Sequence, residues 1–280
     1  MNAPLPPPDV IVGPTKQTLR DVWSPQLRNR RDVDVYLPAT YSSGERHPVV
    51  YMHDGQNLSD PATAFAGTWE LEPALDRLAA RGIEAIVVGV HNTGPNRLAE
   101  YSPFPDRRHG GGDADQYLAF LAQSLKPRVD RTFRTRPERD DTAIVGSSMG
   151  GLVSLYAYFR YPSVFGRAGV MSPSIWFGQG SILDFIGEAR TPPGRLYLDV
   201  GTQEGAGTLR DARAAGRLLV RKGFARDRRA RRPRAARGGA ERRSTHGGKP
   251  RLRYFEHVGG RHSEADWAYR LEGALEFLLR

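Results

Sequence analysis

The stretch TAIVGSSMGGLVSLYAYF, Thr142 to Phe159, sets two adjacent serines among three glycines, between a continuously apolar run and an amphipathic one. A serine hydroxyl becomes a nucleophile only with a base to take its proton, an acid to orient that base, and N–H donors to receive the developing oxyanion. The apolar run reads as a buried strand and GGLVSLYAYF as the start of a helix, with Leu152, Leu155, Tyr156 and Phe159 at i, i+3, i+4 and i+7. A serine on the sharp corner between the two crowds the residues two before and two after it, so both must lack a side chain. Ser148 has Gly146 and Gly150 at those places, whereas Ser147 would have Val145 and Met149. Ser148 is the candidate nucleophile.

In this strand–corner–helix arrangement the partners follow in the order serine, acid, histidine. EHVGGRHSEADW places His262 in a Gly-rich loop between the last strand-like run and the last helix-like one, where an imidazole can reach over a sheet edge. His257 falls inside the strand and is expected to pack there, and His246 lies in a basic stretch. The acid should sit just past the preceding strand. In RLYLDVGTQEG that is Glu204, with Asp199 inside the strand and Asp211 on the next helix left open as alternatives. The amides of Gln56, in the turn after VVYMH, and of Met149 are the candidate oxyanion-hole donors. His53 and Asp54 suggest a base pair or metal ligands, but no further ligand cluster has suitable spacing, so no metal is expected.

Elements that could hold such residues together are legible as alternation. Strand-like pieces cover 32–38, 48–53, 84–90, 142–146, 167–172, 195–201 and 251–258, and the middle ones are continuously apolar and β-branched, as strands buried on both faces are. Helix-like pieces cover 69–81, 114–126, 149–160, 208–222 and 264–279. Asp113 and Gln116 form a capping-box pattern at the second, and Trp267, Leu271, Leu275 and Leu278 form one stripe on the last. The expected fold is α/β, in three layers, with a mostly parallel central sheet covered by helices on both faces and an antiparallel edge where the first strands lack a helix between them. Residues 1–15 are expected to form a loose arm before a single catalytic domain spanning 16–280.

With these pieces in place the chain resembles the Putative esterase family of the α/β-hydrolase superfamily, which includes esterase D and the enterochelin (siderophore) esterases. The segments that carry the resemblance are YMHDGQNLSD (51–60), VGVHNTG with NRLAEYSPF (88–104), GSSMGG, MSPSIWF (171–177), LDVGTQEG (198–205) and GGRHSEADWAYRL (259–271). The resemblance implies the α/β-hydrolase fold, a serine nucleophile at Ser148, His262 as base, Glu204 as acid, oxyanion donors around Gln56 and Met149, and no cofactor. It also implies that Arg97, Glu100 and Tyr101 line or brace the cleft, against the plainer reading of a salt-bridged surface loop. Asp54, Arg97 and Trp176 are the candidate substrate-binding residues, with Trp69 as a second possible wall of an acyl or aryl pocket.

Composition narrows the alternatives. The 280 residues are 39% hydrophobic and contain no cysteine, which removes disulfides and thiolate chemistry. No run approaches the length of a membrane span, and MNAPLPPPDV lacks the pattern of a signal peptide, so the cytoplasm is the expected compartment. The net charge of +10 is concentrated: residues 226–249 hold ten Lys or Arg against Asp227 and Glu241. With almost nothing apolar in it, the segment 225–250 is read as a disordered basic insertion, and nucleic-acid binding is a minor alternative. The expected function is a serine carboxylic-ester hydrolase acting on a small acyl, aryl or siderophore-type ester. An acyltransferase of the same fold and a catalytically inactive binding protein are the alternatives. Oligomeric state is not legible.

Overall fold

The computed structural model describes residues 15–227 and 249–280. Nine strands form one sheet: β1 (Thr15–Ser24), β2 (Asn29–Leu37), β3 (Val49–His53), β4 (Ile86–Val90), β5 (Thr142–Ser147), β6 (Arg167–Met171), β7 (Arg195–Gly201), β8 (Ala225–Arg226) and β9 (Arg251–His257). Their spatial order is β1-β2-β4-β3-β5-β6-β7-β9-β8. β1, β2 and β4 pair antiparallel, and every pairing from β4 onward is parallel.

Eight helices accompany the strands among the described residues: α1 (Leu71–Ala79), α2 (Arg97–Glu100), α3 (Ala114–Ala119), α4 (Lys126–Thr132), α5 (Met149–Arg160), α6 (Ser181–Glu188), α7 (Ala206–Arg221) and α8 (Glu264–Leu279). α3 and α4 are one rod, joined through the π-wound residues Phe120–Leu125. Successive residues of the central strands serve opposite layers. Val49, Tyr51, Ile86, Val88, Ile144, Val170 and Leu198 face one apolar core, with α5, α6 and α7. Val50, Met52, Val87, Val145 and Tyr197 face the other, with α1 and α8. Because both faces are covered, these strands bury every residue but Arg167 and Arg195 at the starts of β6 and β7, which is why they read as apolar runs. Each fully buried Leu in such a core contributes about 1.5–3 kcal/mol relative to exposure.

Parallel strands bring the loops after β3, β4, β5, β6, β7 and β9 to one edge of the sheet, and this edge carries Asp54, Gln56, Arg97, Ser148, Trp176, Glu204 and His262. α8 places the predicted stripe Trp267, Leu271, Leu275 and Leu278 in the second core. Its first turn is capped by Ser263, whose hydroxyl accepts from the Asp266 N–H at 3.4 Å, so the residue after His262 is pinned to the helix.

Several expectations are corrected. β1 begins at Thr15, so the strand order starts before the first predicted run and residue 15 is not part of a loose arm. Both ends of the predicted insertion 225–250 are ordered: Ala225–Arg226 pair with β9, Asp227 accepts from Arg253 at 2.6 Å and the Ala225 N–H donates to the Pro250 carbonyl at 2.7 Å, while residues 228–248, like 1–14, lie outside the described residues. The capping box at Asp113 is not formed. Its backbone is not extended (φ −94°, ψ 9°), so its carboxylate accepts from the Gln116 side chain at 3.3 Å rather than from a helix N–H.

Candidate active site

β5 ends in a corner at Ser148, whose backbone is left-handed (φ 57°, ψ −120°) and which directly precedes α5. Holding a non-glycine residue there costs about 1–3 kcal/mol, drawn from the packing around it. Of the two flanking glycines, Gly146 has no room for a side chain and Gly150 little. A Cβ on Gly146 would stand 2.7 Å from His53 Cδ2 and 2.8 Å from the Gly150 backbone, and one on Gly150 would stand 3.3 Å from His53 Cβ. The corner is fixed by backbone bonds: the Ser148 N–H donates to Met171 O, and its carbonyl accepts from Leu152 and Ser174. Ser147, one residue earlier, is buried in β5.

Three of the sequence candidates meet. Ser148 Oγ lies 3.0 Å from His262 Nε2, and His262 Nδ1 lies 2.8 Å from Glu204 Oε2. A carboxylate only accepts, so Nδ1 carries a proton, and in the neutral form of the ring Nε2 then holds the lone pair to which the Ser148 hydroxyl can donate. The imidazole is 40% exposed while the Glu204 side chain is fully covered. Burial works against the Glu204 charge, but bonds from His262, the Ser172 hydroxyl and the Gly201 N–H outweigh it and hold its carboxyl below the usual range. The Trp267 and His262 rings pack at 85° to one another, with centroids 4.9 Å apart.

The other two acids stand elsewhere. Asp199 is fully buried, accepting from the Ser172 N–H at 3.1 Å and the Tyr197 hydroxyl at 3.0 Å, with Arg270 Nε at 3.2 Å. Burial pushes its carboxyl up to about 6 despite Arg270. Asp211, on α7, takes a bond from Arg210 at 3.2 Å. His257 packs in β9 as expected, stacked on Tyr269 with centroids 4.8 Å apart.

The loop after β3 reaches the same edge because β3 neighbours β5. Asp54 adopts a left-handed conformation and Gly55–Asn57 form one tight turn, so Gln56 sits in the turn after β3 and Met149 is the first residue of α5, directly after the serine corner. Gly55 is required by close approach, since a Cβ there would fall 2.5 Å from the Gly89 carbonyl. Asp54 is clamped by Arg97, Nε to Oδ1 at 2.7 Å and Nη2 to Oδ2 at 2.8 Å, and by Asn92 at 2.7 Å. A Cβ on Gly150 would come within 3.7 Å of Asp54 Oδ2, so the clamp borders the corner itself.

Tyr101 touches that clamp, Glu100 is held by other partners, and both are buried rather than part of a surface loop. Glu100 is buried against Arg31 at 2.8 and 2.9 Å, and the Tyr101 hydroxyl accepts from the Asp54 N–H at 3.2 Å. Trp176 is 49% exposed and packs beside His109 and Phe177, whereas Trp69 is buried against Trp267 and walls nothing open. His53 is fully buried with Nδ1 2.8 Å from the Tyr117 hydroxyl, and burial pushes it down to about 3, so it is neutral. Among the described residues, no group of three or more His, Asp or Glu is placed to hold a metal ion.

Sequence reasoning missed three contributors. Ser174 Oγ is 3.2 Å from Ser148 Oγ, and Ser172 and Arg270 sit behind Glu204. Both serines lie in MSPSIWF, a segment singled out for resemblance alone.

The family whose profile matches residues 24–278 is described as Putative esterase. The chain belongs to this family. It is a carboxylic-ester hydrolase, an enzyme that acts on ester substrates. The chain is 29% identical over 213 residues to Uncharacterized protein YbbA of Bacillus subtilis, covering 71% of this chain and 81% of that one. It is 31% identical over 191 residues to Siderophore enterobactin esterase of Emericella nidulans (59% of this chain, 61% of the relative). With Iron(III) enterobactin esterase of Dickeya dadantii the identity is 29% over 198 residues, and there the chain spans only 41% of the relative. Among solved structures, an IroE-like serine hydrolase from Shewanella oneidensis superposes with a TM-score of 0.72 at 19% identity, covering 95% of this chain and 80% of that one. The BES protein from Bacillus cereus gives 0.70 at 18% identity over the whole of both chains. The esterase therefore has the α/β-hydrolase architecture: a mixed sheet with helices on both sides. No helix among the described residues is long and apolar enough to cross a membrane.

Proposed function

We propose that this esterase works through an acyl-enzyme on Ser148, with His262 as general base and acid and Glu204 as the group that orients it. The observation that carries the reading is the unbroken chain of contacts from Ser148 Oγ to His262 Nε2 at 3.0 Å and from His262 Nδ1 to Glu204 Oε2 at 2.8 Å. As Ser148 Oγ attacks the ester carbonyl carbon, His262 Nε2 takes its proton, and the carbonyl oxygen becomes an oxyanion received by the Gln56 and Met149 amides. On collapse of that intermediate the C–O bond to the alcohol breaks, and the imidazolium protonates the departing oxygen. A water then repeats the sequence on the acyl-enzyme, with His262 again the base, and frees the acid and Ser148. Removing one amide donor is expected to cost on the order of 10²–10³ in rate.

The proposed substrate class is a small-molecule ester with a short acyl, aryl or siderophore-type acid, bound between the Asp54–Arg97 clamp and Trp176. Relatives named as siderophore and enterobactin esterases support this range. The test is a hydrolysis panel of p-nitrophenyl acyl esters of increasing length, a feruloyl ester and a catecholate trilactone. Ser148→Ala is expected to abolish turnover of every member that the wild type cleaves, while Ser147→Ala retains most of it. Equal activity in the Ser148 variant would rule the assignment out.

A further inference from the structure

Behind the proposed catalytic glutamate lies a second carboxylate, and one arginine lies between the two. Arg270 projects from α8 and is 1% exposed, with Nε 3.2 Å from Asp199 Oδ2 and Nη2 3.5 Å from Glu204 Oε1. The same Nη2 donates to Ser172 Oγ at 2.8 Å, and Trp267 Nε1 donates to that oxygen at 3.0 Å. With both acceptor directions of the hydroxyl occupied by donors, its own proton has one place to go: Glu204 Oε1, at 2.6 Å. Gly201 N–H supplies a further bond to Oε1 at 2.6 Å, and Gly201 must be glycine because a Cβ would stand 2.8 Å from that oxygen and 2.3 Å from Gly260 O.

We propose that Ser172 and Arg270 are positioning residues that select Glu204 as the carboxylate on His262 and hold Asp199 away from it. The inference rests on the proposed triad and adds what fixes its acid. Two carboxylates buried side by side repel, and a planar guanidinium reaching both is the geometry that lets them share one pocket. Asp199 is tied down at both oxygens, to the Ser172 N–H and to Tyr197 with Arg270, so it cannot swing toward the imidazole. Glu204 keeps Oε2 free for His262 because every other donor converges on Oε1. Ser172 itself sits at φ 42°, a strained conformation for serine that aims its hydroxyl into the pocket. Neither residue touches the reacting atoms.

The test compares wild type, Ser172→Ala, Ser172→Gly and Arg270→Met. Two quantities are read: kcat and KM with p-nitrophenyl acetate, and the far-downfield NMR signal of the His262 Nδ1 proton, which reports its bond to the glutamate. The expected result in each variant is kcat lower by about 10–10²-fold, KM within about twofold, and a lost or shifted downfield signal. Arg270→Met leaves Asp199 unpaired and can fail to fold. Ser172→Gly relieves backbone strain and removes the same bridging hydroxyl, so it decides the matter alone. A folded Ser172→Gly in which either kcat or the downfield signal is unchanged overturns the proposal. The signal depends only on the contact between residues 262 and 204, so a wild type that shows it but fails to turn over esters would sink the proposed function, and the signal in Ser172→Gly would then decide this inference by itself.

Discussion

Glu204→Gln replaces one oxygen by an NH₂ group and changes nothing else in size, so its effect can be worked from the bonds around the side chain. Oε1 receives the Gly201 N–H and the Ser172 hydroxyl, both at 2.6 Å, and Oε2 receives His262 Nδ1 at 2.8 Å. Turning the new NH₂ toward Gly201 and Ser172 would set donor against donor twice, at about 1–3 kcal/mol each. The amide oxygen therefore stays there and the NH₂ faces His262. The imidazole must then accept at Nδ1 and carry its proton on Nε2, where it cannot take the proton of Ser148. Reaching the working tautomer costs one donor–donor clash, about 1–3 kcal/mol, and the imidazolium loses a charged acceptor worth about another 1.5–3 kcal/mol. At 1.4 kcal/mol per factor of ten, kcat should fall by about 10²–10⁴ while KM changes little. The assay is steady-state hydrolysis of p-nitrophenyl acetate on protein whose melting temperature is checked alongside. A kcat within about threefold of wild type would refute the reasoning.

Two further predictions concern the corner and what lies behind it. Gly146→Ala drives a Cβ into His53 Cδ2 and the Gly150 backbone, so it should cost about 1–3 kcal/mol by thermal melt and lower the rate of Ser148 labelling by more than about tenfold, whereas Gly187→Ala on α6, with nothing within 4 Å, should do neither. His53, pushed down to about 3 by burial, stays neutral in the folded state while the unfolded chain takes a proton below about 6.5. Its contribution to stability is therefore complete above about pH 6.5 and lost progressively as pH falls toward 3, by up to about 1.4 kcal/mol per pH unit. Urea unfolding at pH 7 and pH 5 should accordingly show a pH dependence in wild type smaller by about 2 kcal/mol in His53→Asn, and equal dependence in both would contradict the burial argument.

The central strands were legible because they bury both faces, and the serine corner because it leaves no room for a side chain at Gly146 and little at Gly150. What escaped has a physical reason in each case. β1, TKQTLRDVWS, is an edge strand that buries only Val22 and Ser24, so its apolar signal is thin. α6 has eight residues, too few for a helical period to stand out. Asp113 has the right type for a cap but the wrong backbone conformation, which no spacing rule detects. At the site, Glu204 and His262 could be placed by their loops, yet the groups that fix them could not. Ser172 and Arg270 are 98 residues apart, and only the folded sheet edge makes them neighbours.

The most direct test of the central claim is intact-mass and peptide mapping after exposure of the full chain to a fluorophosphonate. The account predicts a single stoichiometric adduct on the peptide holding residues 147 and 148, assigned by fragmentation to Ser148 and absent from His262→Ala. An unmodified protein, or an adduct on Ser147 or Ser174 instead, would contradict it.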